Sequence, residues 1–356
     1  MSKVIVGMSG GVDSSVAAYL LKKQGYDVVG VTMQIWQEED QEFIEERGGC
    51  CGLTAVDDAR RVAESLDIPH YVMNFRDEFK EHVIDYFVRE YISGKTPNPC
   101  IACNRYVKWE SLLQRVLAIG GEYIATGHYA KIMELPNGRY CVCRSTSLDK
   151  DQSYALYNLT QEQLKCTLMP CGTYDKEDIR MIAKELKLSI ADKPDSQDIC
   201  FVPDGDYASF IKSYANLNNS LGNFVSIDGT ILGTHRGIIH YTVGQRKGLG
   251  IALGYPAFVI AIRPERNEVV LGNFEESHVQ TLMARNINFM SVERLTKPTR
   301  FIAKIRYNHK GAWCTAVQTE TDEIHCVFEE PQRAVTPGQA VVLYDGDYVV
   351  GGGTIQ

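Results

Sequence analysis

The sequence predicts an α/β protein in which a parallel-sheet domain comes first and two β-rich domains follow. Residues 1–205 alternate apolar, β-rich runs with helical patterns, which is typical of a Rossmann-like parallel sheet with helices on both faces. Residues 206–275 are dense in glycine and short β-rich runs, and residues 276–356 repeat such runs between turn signals. We therefore expect a small central β-rich domain and then an antiparallel β-barrel.

The elements of the first domain follow from the spacing of apolar residues. Residues 3–8 form an apolar run that predicts a strand, and residues 16–23 predict a helix that ends at Gly25, where a left-handed cap costs little. Apolar residues at helical spacing predict a second helix over 57–66. Further strands are predicted over residues 27–36, 70–75 and 122–126.

The strands of the second half are short and separated by turn residues. Those of the central domain are predicted over residues 237–244, 257–262 and 268–271. Those of the barrel are predicted over residues 300–307, 313–319, 324–329 and 340–343.

Length and charge limit the possible functions. At 356 residues the chain is longer than one typical core, in agreement with several domains. The net charge is −8, but residues 1–205 hold 23 Lys and Arg against 31 Asp and Glu, whereas the remaining residues hold 14 of each. The second half can therefore gather positive charge on one face, so the net charge does not exclude an RNA partner.

The N-terminal segment predicts a cytoplasmic protein without a membrane partner. The first apolar stretch ends at Gly7, which is too short for a signal peptide core or a membrane span. In a reducing compartment the 11 cysteines would not form a disulfide framework. Closely spaced cysteines are then candidates for redox, metal or sulfur chemistry.

The first strand runs into Ser9-Gly10-Gly11-Val12-Asp13-Ser14, a segment with the features of a nucleotide phosphate loop. Consecutive glycines allow a tight turn with exposed N–H groups, and the helix that follows presents its positive end to an anion. The segment has no lysine to bind a transferred γ-phosphate, and Asp13 could instead hold Mg²⁺. This favours chemistry at the α-phosphate. The residue order resembles the PP-loop of the ATP pyrophosphatases, and the alternative is an ordinary glycine turn before a helix.

Cys100 and Cys103 lie in the segment 96–104, where two prolines restrict the backbone and allow both thiols to face one point. A structural zinc site would need a second pair of ligands at comparable spacing. Neither Cys50-Cys51 nor the pair Cys141 and Cys143 has that spacing. Cys141 and Cys143 share one face of a predicted strand and are interpreted as packing residues. We assign no role to Cys50-Cys51, and Cys200 alone would be interpreted as a buried structural cysteine.

Six motifs in one order resemble those of the bacterial-type tRNA-specific 2-thiouridylase family. They are residues 9–14, 96–104, 126–130, 150–154, 195–201 and 244–250. Together they extend from the first strand nearly to the C-terminus, whereas other PP-loop enzymes share only the first. The resemblance implies that ATP adenylates the C2 oxygen of the wobble uridine of tRNA with release of pyrophosphate. A sulfur nucleophile then replaces this oxygen, and AMP leaves.

The resemblance also implies roles for individual residues. Asp13, Cys103 and Cys200 are the implied catalytic residues: Asp13 holds Mg²⁺, Cys200 carries a persulfide, and Cys103 releases its sulfur through a transient disulfide. The implied ATP contacts are Gly7, Met8, Ser9, Gly10, Gly11, Val12, Asp13, Ser14, Met33 and Gly127. The implied tRNA contacts are Asn98, Pro99, Cys100, His128, Lys150, Asp151, Gln152, Arg306, Tyr307 and Gln339.

Cys100 departs from the family pattern, in which many members have an aspartate that could act as a general base. Cys100, Cys103 and Cys200 supply three thiolates that could hold a 4Fe-4S cluster with one iron open to hydrosulfide. The alternative is a persulfide relay in which Cys100 is a spectator. In either case the sulfur would come from an upstream donor, a cysteine desulfurase or a persulfide relay protein. The expected nucleic-acid partner is tRNA and not DNA.

Two other functions remain open at this stage. A PP-loop synthetase or amidotransferase would adenylate a carboxylate or carbonyl and add ammonia, and it would need no cysteines near the nucleotide. An iron-sulfur or zinc carrier would bind the nucleotide as a regulator and catalyse nothing. The basic residues Arg246, Lys247, Arg300, Lys304 and Arg306 are interpreted either as phosphate contacts or as part of a solvated strand face.

Overall fold

The computed structural model describes residues 1–36, 53–194, 199–202, 204–218 and 220–356. The chain separates into two compact units. The first unit consists of Met1–Val83, Cys100–Gly205 and Asp347–Val349, and the second of Ile84–Pro99, Asp206–Gly346 and Val350–Gln356. The finer division into domains at 1–205, 206–275 and 276–356 stays a prediction.

The strands and helices are numbered in chain order. The strands are β1 (Lys3–Gly7), β2 (Asp27–Gln34), β3 (His70–Asn74), β4 (Tyr123–Ala125), β5 (Ala130–Glu134), β6 (Tyr140–Arg144), β7 (Thr167–Leu168), β8 (Gly222–Val225), β9 (Ile231–His235), β10 (Phe258–Arg263), β11 (Glu268–Gly272), β12 (His278–Phe289), β13 (Thr299–Lys304), β14 (Ala312–Glu320), β15 (Glu323–Arg333), β16 (Ala340–Asp345) and β17 (Tyr348–Ile355).

Two of the helices contain π-helical segments. Helix α3 joins Arg76–Phe79, a π segment Lys80–Asp85 and Tyr86–Ile92, and helix α4 joins Pro99–Ala102, a π segment Cys103–Leu112 and Leu113–Ala118. The other helices are α1 (Val12–Lys23), α2 (Leu53–Ser65), α5 (Gln161–Lys165), α6 (Lys176–Glu185) and α7 (Tyr207–Tyr214). No helix within the described ranges combines the length and the apolar content needed to cross a bilayer.

The first unit is built on a five-stranded parallel sheet in the order β3-β2-β1-β4-β7. Val4 and Val6 of β1 pack into a core shared with α1, α2 and α6. Ile5, between them in sequence, is also fully buried and lies on the opposite face, beside Val116 of α4. β1 is therefore apolar on both faces, as a central parallel strand requires.

A hairpin of β5 and β6 completes the strands of the first unit, and Tyr348 pairs with Cys143 of β6. Cys141 and Cys143 are both buried, and their sulfur atoms are 3.7 Å apart. This agrees with their interpretation as packing residues of one strand face. Cys50-Cys51 lies outside the described residues.

The second unit contains two β structures. One is a four-stranded sheet in the order β10-β11-β8-β9, with Phe224, Tyr241 and Val269 in its core. The other has the strand order β12-β15-β14-β13-β16-β17, and β17 pairs back with β12 to close a six-stranded antiparallel barrel. The predicted fold class, a parallel-sheet domain with a C-terminal antiparallel barrel, is confirmed.

Candidate active site

A cavity of about 200 Å³ lies at the carboxyl ends of β1 and β4. β1 has β2 on one side and β4 on the other, so the strand order reverses at β1. Open parallel sheets commonly bind ligands at the carboxyl ends of the strands where the order reverses. The lining residues are Gly7, Met8, Ser9, Asp13, Ser14, Thr32, Met33, Lys108, Leu112, Thr126, Gly127, His128 and Gln152.

Most of the residues predicted to contact ATP line this one cavity. They are Gly7, Met8, Ser9, Asp13, Ser14, Met33 and Gly127. Gly10 and Gly11 lie in the loop and Val12 begins α1, and none of the three lines the cavity. His128 and Gln152, predicted as tRNA contacts, are part of the lining, as are Thr32, Lys108 and Leu112, which the sequence did not single out.

The loop after β1 is held by hydrogen bonds to β2 and by hydrogen bonds within the loop and the start of α1. Met8 N–H donates to the Val31 carbonyl at 2.8 Å, and the Thr32 hydroxyl donates to the Met8 carbonyl at 2.9 Å. Ser9 N–H donates to the Ser14 hydroxyl at 3.2 Å. Gly11 occupies the N-cap of α1 and has no side chain to cap the first turn. The first-turn N–H groups of α1 are thus suited to an anion.

Glycine is required at two positions around this loop. Gly10 has a φ of +68°, and a Cβ atom there would collide with the backbone of Ala55. A Cβ at Gly127 would lie 2.5 Å from the backbone nitrogen of Ser14 and 2.6 Å from the carbonyl carbon of Asp13. The segment after β4 therefore approaches the start of α1 more closely than any other residue type would allow.

Asp13 takes part in an ion pair that the sequence did not predict. Lys176, the first residue of α6, donates to Asp13 Oδ1 at 2.7 Å and to Oδ2 at 2.9 Å, and its side chain is only 12% exposed. The Tyr129 hydroxyl also donates to Asp13 Oδ1, at 2.7 Å. The phosphate loop has no lysine of its own, but the fold brings one to its carboxylate.

The surroundings of Asp13 fit a Mg²⁺ ion that is bound together with phosphates. A carboxylate offers about four acceptor positions, and the contacts with Lys176 and Tyr129 use three of them. In the part of the chain that the structure describes, no three His, Cys, Asp or Glu side chains are grouped to share an ion. Mg²⁺ at Asp13 would therefore take its other ligands from phosphate oxygens and water, as it commonly does.

His128 and Lys108 form another part of the cavity wall. The Nδ1 atom of His128 lies 2.7 Å from the Thr126 hydroxyl, and its ring packs against Trp109 with centroids 5.7 Å apart. Burial, and secondarily the charge of Lys108, hold the pKa of His128 well below its usual value. His128 is therefore neutral at pH 7, so it can shape the cavity without adding charge to it.

The predicted tRNA contacts at 150–152 have different surroundings. Asp151 accepts from Ser145 N–H at 3.1 Å and from the Ser153 hydroxyl at 2.7 Å, so its carboxylate fixes a turn. Gln152 accepts from Tyr129 N–H at 2.9 Å and lines the cavity. Lys150 ends a short 3-10 helix and is half-buried.

Cys103 and Cys200 lie on segments that pack against the same part of α3. Cys103 begins the π segment of α4, which packs against Arg76–Phe79. Cys200 is half-buried, and the ring of Phe201, next in sequence, packs edge-on against Phe79 with centroids 5.9 Å apart. Residues 195–198 of the same motif lie outside the described residues.

The three cysteines proposed as cluster ligands do not fit a preassembled iron-sulfur site. Cys100 is exposed, whereas Cys103 and Cys200 are half-buried. Across the described ranges, they are not grouped as a metal-binding set. We therefore assign no step of the reaction to a cluster.

The second unit gathers other predicted tRNA contacts around the segment 333–339. Arg306 donates to the Arg333 carbonyl at 3.1 Å. The Gln339 side chain donates to the Thr96 carbonyl at 2.8 Å, and Thr96 N–H donates to the Pro337 carbonyl at 2.9 Å. Gln339 thus holds the backbone that leads to Asn98 and Pro99.

The basic loop 244–250 joins the same segment. The Thr336 hydroxyl donates to the carbonyl of Val243, immediately before the loop, and Arg246 and Lys247 are exposed. Arg300 differs from them because it forms a two-point ion pair with Glu329, at 2.6 and 3.1 Å, and stacks on Trp313. For Arg300 the interpretation as part of a strand face is therefore preferred.

Comparison with known proteins identifies the family. Family models match residues 2–204 (tRNA methyl transferase HUP domain), 208–273 (tRNA methyl transferase PRC-barrel domain) and 279–355 (aminomethyltransferase beta-barrel domain). A tRNA-specific 2-thiouridylase MnmA of Lachnoclostridium phytofermentans is 66% identical over 355 residues, which cover 100% of this chain and 99% of that protein. The chain belongs to the tRNA-specific 2-thiouridylase family.

Other members of the thiouridylase family are similar over the same length. Proteins of that name from Clostridium perfringens and Clostridioides difficile are 58% and 56% identical, with 99% of this chain and 98% of each relative covered. The predicted family and enzyme class, a tRNA sulfurtransferase, are confirmed. The fold that positions the cavity is thus that of an ATP-using PP-loop enzyme.

Substitution of Gly127 tests whether the close approach to α1 shapes the nucleotide site of this thiouridylase. In Gly127→Ala the new methyl group would overlap the Ser14 and Asp13 backbone, so the loop must move. We expect the affinity for MgATP, measured by calorimetry, to fall roughly tenfold, a loss of about 1.4 kcal/mol.

Gly7→Ala is the matched control, because Gly7 also lines the cavity. The nearest atoms to a Cβ there, in Ala125 and Thr126, are 3.8 and 3.9 Å away, which is ordinary contact. Its affinity should stay close to that of the unaltered protein. Equal losses in both variants would show that the approach of Gly127 has no special role.

Proposed function

We propose that this thiouridylase adenylates the C2 carbonyl oxygen of the wobble uridine of tRNA and then replaces that oxygen by sulfur from a persulfide. The observation that carries the proposal is the cavity at the carboxyl ends of β1 and β4, because residues of the phosphate loop line it together with Gly127 and His128. The segments that bear Cys103 and Cys200 pack in the same unit. The nucleotide that activates the uridine and the sulfur nucleophile are therefore both assigned to the first unit.

In the first step the C2 oxygen attacks the α-phosphorus of ATP. A bond from oxygen to phosphorus forms, the bond to the pyrophosphate oxygen breaks, and the N3 proton of the uracil passes to solvent, from which the base regains a proton after sulfur transfer. The first-turn N–H groups of α1, with Lys176 beside Asp13, stabilise the charge on the departing pyrophosphate. Mg²⁺ held by Asp13 would supply further neutralisation of the phosphates.

In the second step sulfur replaces the activated oxygen. The terminal sulfur of a persulfide on Cys200 attacks C2, and AMP departs with the former carbonyl oxygen. The Cys103 thiolate then attacks the Cys200 sulfur, which breaks the sulfur–sulfur bond and leaves sulfur on the base. The product is a disulfide between Cys103 and Cys200, so each cycle needs a thiol reductant and a persulfide donor.

The second unit supplies contacts to the RNA backbone in this proposal. Arg306, which precedes Tyr307 in sequence, donates to the Arg333 carbonyl of the segment 333–339. The bond from Thr336 to Val243 joins the same segment to the start of the loop 244–250, which holds the exposed Arg246 and Lys247. Gln339 acts indirectly, since its amide fixes Thr96 in the loop expected to meet the target base. Phosphates attract such cationic groups regardless of sequence.

Asp13 provides the first test. Asp13→Asn keeps the shape of the side chain but removes the charge that would bind Mg²⁺ and pair with Lys176. We expect tRNA-dependent release of pyrophosphate to fall roughly 10²–10³-fold, while tRNA binding measured by filter retention is unchanged.

Asp67→Asn is the control for loss of a paired carboxylate, because Asp67 lies at the surface 3.5 Å from Lys22. It should release pyrophosphate normally. Pyrophosphate release at the normal rate in Asp13→Asn would remove the metal-binding role from Asp13.

Cys200 provides the second test, because its thiol is needed only after adenylation. Cys200→Ser should still release pyrophosphate with tRNA present but form no 2-thiouridine, as measured by mass spectrometry of digested tRNA. Cys166→Ser, which removes another half-buried thiol, should leave both products at normal levels. Thiolated tRNA from Cys200→Ser would falsify the persulfide role. Full thiolation by Cys100→Ala would identify Cys100 as a spectator.

Arg306 provides the test of the RNA surface. In Arg306→Ala the logarithm of tRNA affinity should depend less steeply on the logarithm of salt concentration, by roughly one phosphate contact. Arg300→Ala should keep the original slope, because Arg300 is already paired with Glu329. If the two variants have the same slope as the unaltered protein, Arg306 does not contact a phosphate.

A further inference from the structure

Lys108 is a cationic residue of the cavity that the proposed reaction has not yet used. It lies in the π segment Cys103–Leu112 and lines the cavity together with Thr126 and His128. Lys108 is half-buried, so its charge is less screened there than at the surface. A cation in a nucleotide cavity is positioned to act on phosphate oxygens.

Asn104 fixes the position of this ammonium group. Asn104 is 2% exposed and donates through Nδ2 to the Ala155 carbonyl at 2.9 Å. This bond orients the amide so that its Oδ1 accepts from Lys108 Nζ at 2.8 Å. Lys108 is therefore held in place before any ligand binds, which lowers the ordering cost of using it.

The hydrogen-bond partner of Lys108 is an uncharged amide, whereas the partner of Lys176, the other lysine of the site, is a carboxylate. Lys176 is paired with the Asp13 carboxylate, so its charge is largely compensated. Lys108 bonds to an amide, and no carboxylate among the described residues lies within ion-pair distance of it. His128 beside it is neutral because burial holds its pKa low. The net positive charge of this wall therefore comes from Lys108.

The π segment also relates Lys108 to Cys103. Its backbone pattern links each residue to the fifth one along, so Lys108 lies about one turn after Cys103. In the proposed function, the phosphate loop binds the β- and γ-phosphates of ATP, which leave as pyrophosphate. The α-phosphate lies between these phosphates and the base that receives sulfur. Lys108, on the helix that carries the sulfur-releasing thiol, lines the cavity in which this middle position would lie.

We propose that Lys108 is a catalytic residue of the adenylation step that binds a non-bridging oxygen of the α-phosphate. Its charge stabilises the phosphorus centre as the C2 oxygen bonds and pyrophosphate departs, and it then holds the AMP group until sulfur attacks. No proton is transferred by Lys108 in this role. The inference rests on the proposed function, because it assigns a residue to the same reaction.

The test compares three variants in tRNA-dependent pyrophosphate release at saturating ATP. Lys108→Met should lower kcat roughly 100-fold with a smaller change in the KM for ATP, since the contact strengthens in the transition state. Lys108→Arg should recover part of the rate. Lys165→Met, which removes an exposed lysine paired with Glu162, should react at the normal rate.

A second readout separates a local charge effect from damage to the fold. Loss of the Lys108 charge should raise the pKa of His128 in Lys108→Met without nucleotide, followed by NMR of the ring protons with His128→Gln for assignment. A normal kcat in Lys108→Met, or a low kcat with an unchanged His128 pKa, would overturn the proposal. If the unaltered enzyme released no pyrophosphate with tRNA, the proposed function would fail first, and the role of Lys108 with it.

Discussion

The structure of the site depends on one steric constraint, the contact of Gly127 with the backbone at the start of α1. The strand order reverses between β1 and β4, which separates the loops that follow them and leaves a crevice. Gly127 then sets how narrow this crevice is, because its missing side chain lets the second loop reach the Asp13 and Ser14 backbone. This approach brings Gly127 and His128 to the loop that carries Asp13 and Ser14.

The charged side chains around the crevice form two groups, and each is assigned to a different part of the proposed reaction. Asp13, Lys176 and Tyr129 form a bonded group at the phosphate loop, where Mg²⁺ and pyrophosphate would be held. Lys108 carries a charge that no carboxylate of the described residues compensates, at the wall shared with neutral His128. The negative charge of the chain as a whole is therefore compatible with a locally cationic site for phosphates.

The parts of the site that could be predicted are local in sequence. The loop from Ser9 to Ser14 is recognisable because strand, glycines and helix follow one another directly. Lys176 and Lys108 have no such local signal, because they reach the site through tertiary folding, 163 residues from Asp13 in the case of Lys176. The two-residue strand β7 is too short to leave a pattern. The bonds that Asp151 and Gln339 make within their own chain also depend on the fold, and their contacts with tRNA, implied by the resemblance, stay predictions.

The most direct measurement of the central claim follows the C2 oxygen of the target uridine. A tRNA labelled at that atom with the heavy oxygen isotope would be thiolated by the enzyme in a single turnover with ATP. If ATP activates this oxygen by adenylation, the label must appear in the phosphate group of AMP, in an amount equal to the 2-thiouridine formed. Unlabelled AMP alongside fully thiolated tRNA would contradict the account.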